Sequence, residues 1–170
     1  MTPLGDRGEY RRPMSAPRDL VSVERIIAAP AAEIFALLAD PRRHKDIDGS
    51  GTVREAKDLP PRLELGAKFG MSMHRGIGYS MTNTVVEYEQ DRRIAWQPRP
   101  GFPLSLLVGG RIWRYELEPV EGGTRVTETW DIRKERVPAL VRRDADNARR
   151  GIEGTLDRIA SLVAQQENAE

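Results

Sequence analysis

The sequence lacks the residues that most often build covalent crosslinks and metal centres. It contains no cysteine, so disulfides and thiol chemistry are excluded. Its only histidines, His44 and His74, lie far apart without ligand-like spacing, so we expect no metal site. The phosphate-binding loop, the dinucleotide fingerprint and the G-x-S-x-G nucleophile motif are also absent, and we expect no cofactor.

Long apolar runs and a strong net charge are missing as well. No apolar run reaches the roughly 18 residues that a membrane span needs, and the first residues lack the apolar core of a signal peptide. The net charge is +1, which creates no overall field favouring nucleic acid. We therefore expect a cytoplasmic protein with no nucleic-acid partner and no stable membrane insertion, either a monomer or a homodimer.

The composition changes sharply near residue 20. Residues 1–19 combine Pro3, Pro13 and Pro17 with glycine and charged residues and have almost nothing to bury, which predicts a disordered tail. Residues 20–165 have the balanced composition of a single globular domain. Residues 166–170 are polar and are expected to fray.

Alternation of apolar and polar residues predicts about seven strands in antiparallel order. The strongest hairpin signal is the turn Glu121-Gly122-Gly123, between the last two of them. The predicted strands cover residues 20–28, 52–59, 66–74, 78–90, 92–98, 110–120 and 123–134.

Helical patterns interrupt the strands at only two places. A short apolar helix is predicted over residues 31–39, followed by a turn-like piece over 41–48. A long helix is predicted over 138–165, where Ile152, Leu156, Ile159 and Val163 form one apolar stripe. The fold class is therefore α+β, and the long helix is the only element large enough to cover one face of the sheet.

Three segments resemble a known family. They are "ERIIAAPAAEIFALLADP" (24–41), "WRYELEPVEGGTRVTETWD" (113–131) and "TLDRIASLV" (155–163), and they are similar to the START, polyketide cyclase and birch-pollen-allergen superfamily (SRPBCC), in particular its bacterial polyketide cyclase/dehydrase members. The resemblance implies a helix-grip fold: a curved antiparallel sheet wrapped on a long C-terminal helix, with two short helices after the first strand. Such proteins enclose an apolar cavity between sheet and helix.

The side chains expected to line this cavity come from four strands and the long helix. On residues 78–90 we favour the face of Tyr79 and Met81 as inward, over the opposite face that holds Tyr88. Trp113 is expected to be a large buried aromatic. The two helix glycines should allow close approach to the sheet or room for a ligand. The full set of predicted ligand-binding residues is Met71, Met73, Tyr79, Met81, Asn83, Trp113, Tyr115, Glu128, Trp130, Gly151 and Gly154.

Glu128 is the one candidate catalytic residue. Placing Val126 and Trp130 inward carries Glu128 inward as well, where burial would raise the pKa of its carboxyl group. It is then a general acid or base, a ligand anchor, or a carboxylate bound to a neighbouring Arg or Tyr for structural reasons.

Three functions follow from these patterns. The first is a carrier or sensor that binds a small hydrophobic molecule, lipid- or polyketide-like, without turnover. The second is a polyketide cyclase/aromatase-type enzyme, in which Glu128 would meet Tyr79 or Asn83 inside the cavity. The third is a protein-interaction module of the chaperone-activator type, which would show a filled core and an exposed apolar patch. The basic approach to the long helix is either a solvated face or an entrance that attracts an anionic head group; its residues are Arg133, Lys134, Arg136, Arg142, Arg143, Arg149 and Arg150.

Overall fold

A seven-stranded antiparallel sheet organises the protein, as the alternation predicts. The computed structural model describes residues 18–57 and 59–168. The strands are β1 (Leu20–Ile27), β2 (Val53–Lys57), β3 (Lys68–Arg75), β4 (Ile77–Glu89), β5 (Arg93–Pro100), β6 (Ile112–Val120) and β7 (Gly123–Asp131). The helices are α1 (Ala31–Ala39), α2 (His44–Ile47), α3 (Pro138–Arg142) and α4 (Ala145–Glu167).

The first two strands lie at opposite edges of the sheet. The spatial order is β1-β7-β6-β5-β4-β3-β2, so β1 pairs with β7 while β2 pairs with β3. Consecutive strands at opposite edges need a connection that crosses the whole sheet. Helices α1 and α2, with a short 3₁₀ turn at Pro41–Arg43 between them, make that crossing at one end of the curled sheet.

Helix α1 is short because prolines bound it on both sides. It follows Pro30, whose carbonyl accepts hydrogen bonds from the first turn. Its apolar face buries Ile34, Phe35 and Leu38. The helix ends at Asp40-Pro41, because a residue before proline is disfavoured in helical conformation.

The C-terminal helix is divided, contrary to the single rod predicted over 138–165. Helix α3 ends at Arg142, and α4 begins at Ala145 after Asp144 adopts a non-helical conformation. Helix α4 then extends about 34 Å at about 1.5 Å per residue. Its predicted apolar stripe is confirmed, since Ile152, Leu156, Ile159 and Val163 are all buried.

A β-bulge in β4 changes which side chains face inward. Met81, Asn83 and Val85 are buried, as predicted for this face, whereas Tyr79, which was predicted with them, is 40% exposed. The pairing with β5 shifts register between Val85 and Glu87, and the extra residue reverses the alternation beyond it. Tyr88 therefore packs edge-on against Phe35 and is half-buried at the margin of the core, so its predicted outward placement is wrong.

The ordered body begins no later than Asp19. The carbonyl of Asp19 accepts a hydrogen bond from Ile132, and its carboxylate binds Arg142, although the predicted tail included this residue. Residues 1–17 lie outside the described part of the chain, so the disorder of that tail stays a prediction. Helix α4 extends two residues beyond the predicted end of the domain. Within the described ranges, no helix is long and apolar enough to cross a membrane.

The loop after α2 lies unusually close to α4. Gly49 donates a backbone hydrogen bond to the Thr155 hydroxyl at 3.0 Å. A Cβ atom on Gly154 would lie 3.0 Å from the Cα of Gly49, closer than side chains normally approach. Gly154 therefore permits helix–loop contact and does not line the cavity, so its prediction as a ligand-binding residue is wrong.

We predict that Gly49→Ala destabilises the protein by about 2 to 3 kcal/mol, the usual cost of forcing atoms into a packed site. The added Cβ would overlap the backbone nitrogen of Thr155, which cannot move without displacing α4. Gly78→Ala is the matched control, because a Cβ there meets nothing within 4 Å. Urea unfolding of both variants measures the difference, and equal stabilities would contradict this account of the contact.

Candidate functional site

A cavity of about 490 Å³ lies between the concave face of the sheet, the loop after α2 and the first half of α4. Its wall contains all but one of the predicted side chains. These are Met71, Met73, Tyr79, Met81, Asn83, Trp113, Tyr115, Glu128, Trp130 and Gly151. The strand alternation thus brings residues from β3, β4, β6 and β7 to one surface.

The prediction missed the parts of the wall that come from α2, β2, β5, the loops and α4, together with Arg75 at the end of β3. Trp96 and Pro98 on β5 were visible as an apolar segment but were not assigned to the cavity. The loop residues have no periodic pattern from which a place in the cavity wall could be predicted. The helix residues lie in the first turns of α4, whose polar composition does not indicate a cavity wall. The additional wall residues are His44, Ile47, Asp48, Gly49, Ser50, Thr52, Val53, Arg75, Arg111, Asp144, Asn147, Ala148, Arg150 and Thr155.

Aromatic rings form much of the apolar wall. Trp96 lies 5.3 Å from Tyr115 and 6.0 Å from Phe69, measured between ring centroids. Trp113 and Trp130 are paired across β6 and β7, with centroids 6.5 Å apart. Trp130 is fully buried, whereas Trp113 is only half-buried, so it is less buried than expected although it lines the cavity.

A buried hydrogen-bonded pair interrupts this apolar surface. Tyr115 and Glu128 are direct cross-strand partners, and the Tyr115 hydroxyl donates to Glu128 Oε1 at 2.7 Å. The other carboxyl oxygen, Oε2, is buried and has no hydrogen-bond partner among the described residues. Glu128 thus meets a neighbouring tyrosine, as the structural alternative predicted, and not Tyr79 or Asn83, the partners expected for an enzyme.

Burial raises the pKa of Glu128 to about 8, because the charged form loses its hydration. The hydrogen bond from Tyr115 opposes this shift, and the negative charge of nearby Asp48 adds to it. Asp48 is held in place by hydrogen bonds from the backbone of Ser50 and Val53. Glu128 consequently carries a proton at neutral pH.

His44 supplies a second buried polar group. Its Nε2 lies 2.8 Å from the carbonyl oxygen of Leu38, which only accepts, so Nε2 carries the hydrogen. The ring stacks on Trp96 at 4.9 Å, and burial lowers its pKa to about 4. His44 is therefore neutral, and within the described ranges its Nδ1 is a hydrogen-bond acceptor without a donor.

Asn83 is the third polar group of the interior. It is 3% exposed and lies on β4 next to Met81. Its amide makes no side-chain hydrogen bond to any residue in the part of the chain that the structure describes. An amide can both donate and accept hydrogen bonds, so Asn83 can donate to a ligand carbonyl or accept from a ligand hydroxyl.

Charged side chains surround the opening of the cavity. Arg75 pairs with Asp144 at 3.0 Å, and Arg111 lies 3.3 Å from the buried Glu135. Of the predicted basic approach to the long helix, only Arg150 lies in the wall. Among the described residues, no group of three or more histidines and carboxylates could hold a metal ion.

The curled antiparallel sheet, the long C-terminal helix across its concave face and the two short helices after β1 together define a helix-grip fold. A family model described as "Polyketide cyclase / dehydrase and lipid transport" matches residues 18–164. The chain therefore belongs to this family.

Two curated relatives, both called uncharacterized, come from strains of Mycobacterium tuberculosis. The chain is 43% identical to protein Rv0088 over 107 residues, which is 62% of this chain and 44% of that protein. It is 44% identical to protein MT0096 over the same length and the same shares. The chain thus spans less than half the length of the curated relatives it matches.

Solved structures share the fold at low sequence identity. Protein NE0264 from Nitrosomonas europaea has a TM-score of 0.67 at 18% identity, over 91% of this chain and 99% of that one. An Arthrobacter aurescens protein solved by NMR has a TM-score of 0.68 at 17% identity, over 87% of each chain. DynU16, from the dynemicin biosynthetic locus, has a TM-score of 0.62 at 19% identity, over 87% of this chain and 48% of that one.

We predict that Glu128→Gln becomes more stable than the native protein as the pH rises. Between pH 4.5 and about 8 the folded state keeps a proton that the unfolded chain has released, so the native protein loses stability through this window. Glutamine cannot ionise, and its advantage should reach on the order of 3 to 5 kcal/mol above the window. Urea unfolding of both proteins across this pH range measures the divergence.

The comparison isolates Glu128 because both proteins contain His44. The lowered pKa of His44 has the opposite effect, since stability is lost as the pH falls from 6.5 towards about 4. A stability difference between the two proteins that does not change with pH would show that Glu128 is ionised in the folded state.

We predict that Trp130→Ala costs about 3 to 5 kcal/mol, as expected for truncating a fully buried aromatic side chain. Trp113→Ala should cost about half as much, because its side chain is only half-buried and therefore loses fewer contacts. Denaturant unfolding of the two variants gives the ratio. An equal loss at both positions would mean that Trp113 packs as tightly as Trp130.

Proposed function

We propose that this protein binds a lipid- or polyketide-like small molecule in its cavity, as a carrier or sensor. The observation that carries the proposal is the cavity itself, which has an apolar wall and a few buried polar groups. A volume of about 490 Å³ falls in the range typical of small-molecule sites. The family's description includes lipid transport, which is consistent with an apolar ligand.

The methionines suit a ligand of irregular shape. Met71 and Met73 on β3 and Met81 on β4 face the cavity together. Unbranched thioether side chains adapt their rotamers to different surfaces at little cost, unlike valine or isoleucine. The wall can therefore adjust to a flexible chain or to a fused ring.

Glu128 is the proposed polar anchor for the ligand. With Tyr115 donating to Oε1, the proton of the neutral carboxyl group resides on Oε2, which has no acceptor among the described residues. A ligand carbonyl or hydroxyl oxygen would satisfy this donor. Neutral His44 offers an acceptor at Nδ1 for a ligand hydroxyl.

A second candidate function is a cyclase-type enzyme, and the same carboxyl group supports it. A protonated glutamate in the wall of an apolar cavity can act as a general acid at neutral pH. In such an enzyme, Glu128 would donate its proton to a substrate oxygen and take up another proton from solvent. Of the two features expected of the interaction-module alternative, the open cavity contradicts the filled core, whereas exposed apolar side chains at Phe102, Leu104, Leu106 and Leu107 match the apolar patch.

We predict that the uncharged dye Nile red binds the native protein about one to one, and that Ala148→Phe abolishes this binding. Ala148 lies on α4 in the cavity wall, and a phenyl ring there would occupy ligand space. Ala164→Phe is the matched control, because Ala164 is an exposed residue of the same helix outside the wall. Dye fluorescence titrations measure all three proteins.

Native mass spectrometry complements the titration by testing for a small molecule that copurifies with the native protein. The carrier proposal would be contradicted if Nile red failed to bind the native protein, or if Ala148→Phe bound the dye as tightly as the native protein does. The enzyme alternative requires turnover: a β-keto thioester probe should be converted by the native protein and left unchanged by Glu128→Gln.

A further inference from the structure

The loop between β5 and β6 exposes large apolar side chains that do not line the cavity. We call residues 101–110 the β5–β6 loop. Four of its side chains have exposed fractions that are unusually high for large apolar residues. They are Phe102 at 81%, Leu104 at 60%, Leu106 at 53% and Leu107 at 48%. Several large apolar residues exposed together indicate a contact surface for another molecule.

The β5–β6 loop is held by its own backbone hydrogen bonds. Leu106 donates to the carbonyl of Pro103 at 3.0 Å, and Leu107 donates to that of Leu104 at 3.0 Å. These bonds close a 3₁₀ turn over Leu104–Leu106. Because the backbone groups are satisfied within the loop, the apolar side chains project from a defined turn.

The base of the loop is fixed to the segment after β7. The buried carboxylate of Glu135 accepts hydrogen bonds from the backbone of Gly109 at 2.8 Å and of Arg111 at 3.1 Å. Arg136 donates to the carbonyl of Leu106 at 3.3 Å. Gly110 approaches the carbonyl of Lys134 so closely that a Cβ atom there would overlap it.

Three cations lie beside the apolar side chains. Arg99 is adjacent to Gly109, and Lys134 and Arg136 belong to the segment that holds the loop. Over residues 18–57 and 59–168, none of the three has a carboxylate within the 4.0 Å that defines an ion pair. The loop therefore combines exposed apolar groups with cations that are not held in close ion pairs, although Glu87 lies near enough to Lys134 for their charges to interact.

We propose that the β5–β6 loop docks the protein reversibly on an anionic lipid surface. The four apolar side chains would enter the headgroup region, and Arg99, Lys134 and Arg136 would bind lipid phosphates. Apolar groups flanked by lysine and arginine are the combination that favours the interface of a negatively charged bilayer. One loop offers much less area than the roughly 800 Å² per partner of a stable protein interface.

The docking does not depend on the proposed ligand. The position of the β5–β6 loop nevertheless fits the proposed ligand binding, because Pro98 and Arg111, just before and after the loop, both line the cavity. If the cavity holds a lipid-like molecule, docking brings this part of its wall to the membrane from which such a molecule would be taken.

Co-sedimentation of the full chain with vesicles tests the proposal. We expect binding to phosphatidylcholine vesicles that contain phosphatidylglycerol, at least about tenfold stronger than binding to phosphatidylcholine alone. The double variant Phe102→Ser/Leu106→Ser should lose this binding by about tenfold or more. Its control is Ile26→Ser, which removes an apolar side chain that is 54% exposed on β1.

Charge reversal separates the contribution of the cations. Arg99→Glu/Lys134→Glu should abolish the preference for anionic vesicles. Lys68→Glu/Arg158→Glu changes the net charge equally at exposed positions outside the loop and should retain the preference. Circular dichroism and Nile red titration verify that each variant is folded, and these readouts do not depend on vesicles.

Two outcomes would overturn the proposal. One is failure of the native protein to bind anionic vesicles, or an equal loss of binding in a loop variant and its control. The other is a dimer in sedimentation equilibrium that Phe102→Ser/Leu106→Ser converts to a monomer, which would show that a second copy of the chain covers the loop.

Discussion

The backbone contact between Gly49 and Gly154 determines where α4 crosses the sheet, and the cavity depends on that crossing. A single helix must cover the concave face of a seven-stranded sheet. Because the loop after α2 lies directly against α4, the helix is supported by the loop at this point as well as by its packing on β1 and β7. The space between this support and the strands is the cavity, which Ala148 leaves open by having only a methyl side chain, whereas a Cβ on Gly151 would contact Ser50 of the loop.

The strands and their inward faces could be predicted from the sequence because a period of two residues is a local property. Trp113, Tyr115, Glu128 and Trp130 all face the cavity as the alternation of β6 and β7 indicated. The bulge at Val85–Glu87 could not be predicted, since one inserted residue has no compositional signature. Neither could the break at Asp144, because this residue is followed by an uninterrupted helical pattern.

The loop residues of the site were missed for a different reason. Asp48 and Ser50 reach the cavity only because the chain crosses from one edge of the sheet to the other, which is a consequence of topology. Gly154 was assigned to the ligand because a glycine in a helix indicates close packing without identifying the neighbour. The neighbour is Gly49, more than a hundred residues earlier in the chain, and no local pattern links the two.

The buried carboxyl group of Glu128 is the strongest indication of a function, because a purely structural role does not account well for a carboxyl group at this position. A leucine at this position would pack among Trp130 and the aromatic wall without any desolvation cost. The carboxyl group instead requires a proton at neutral pH and leaves one oxygen without a partner among the described residues. Tyr115 donates a hydrogen bond to only one of the two carboxyl oxygens. A buried oxygen without a hydrogen-bond partner lowers the free energy of unfolding by about 1 to 3 kcal/mol. A ligand oxygen at this place would remove that cost, so the energy that destabilises the free protein becomes binding energy for the complex.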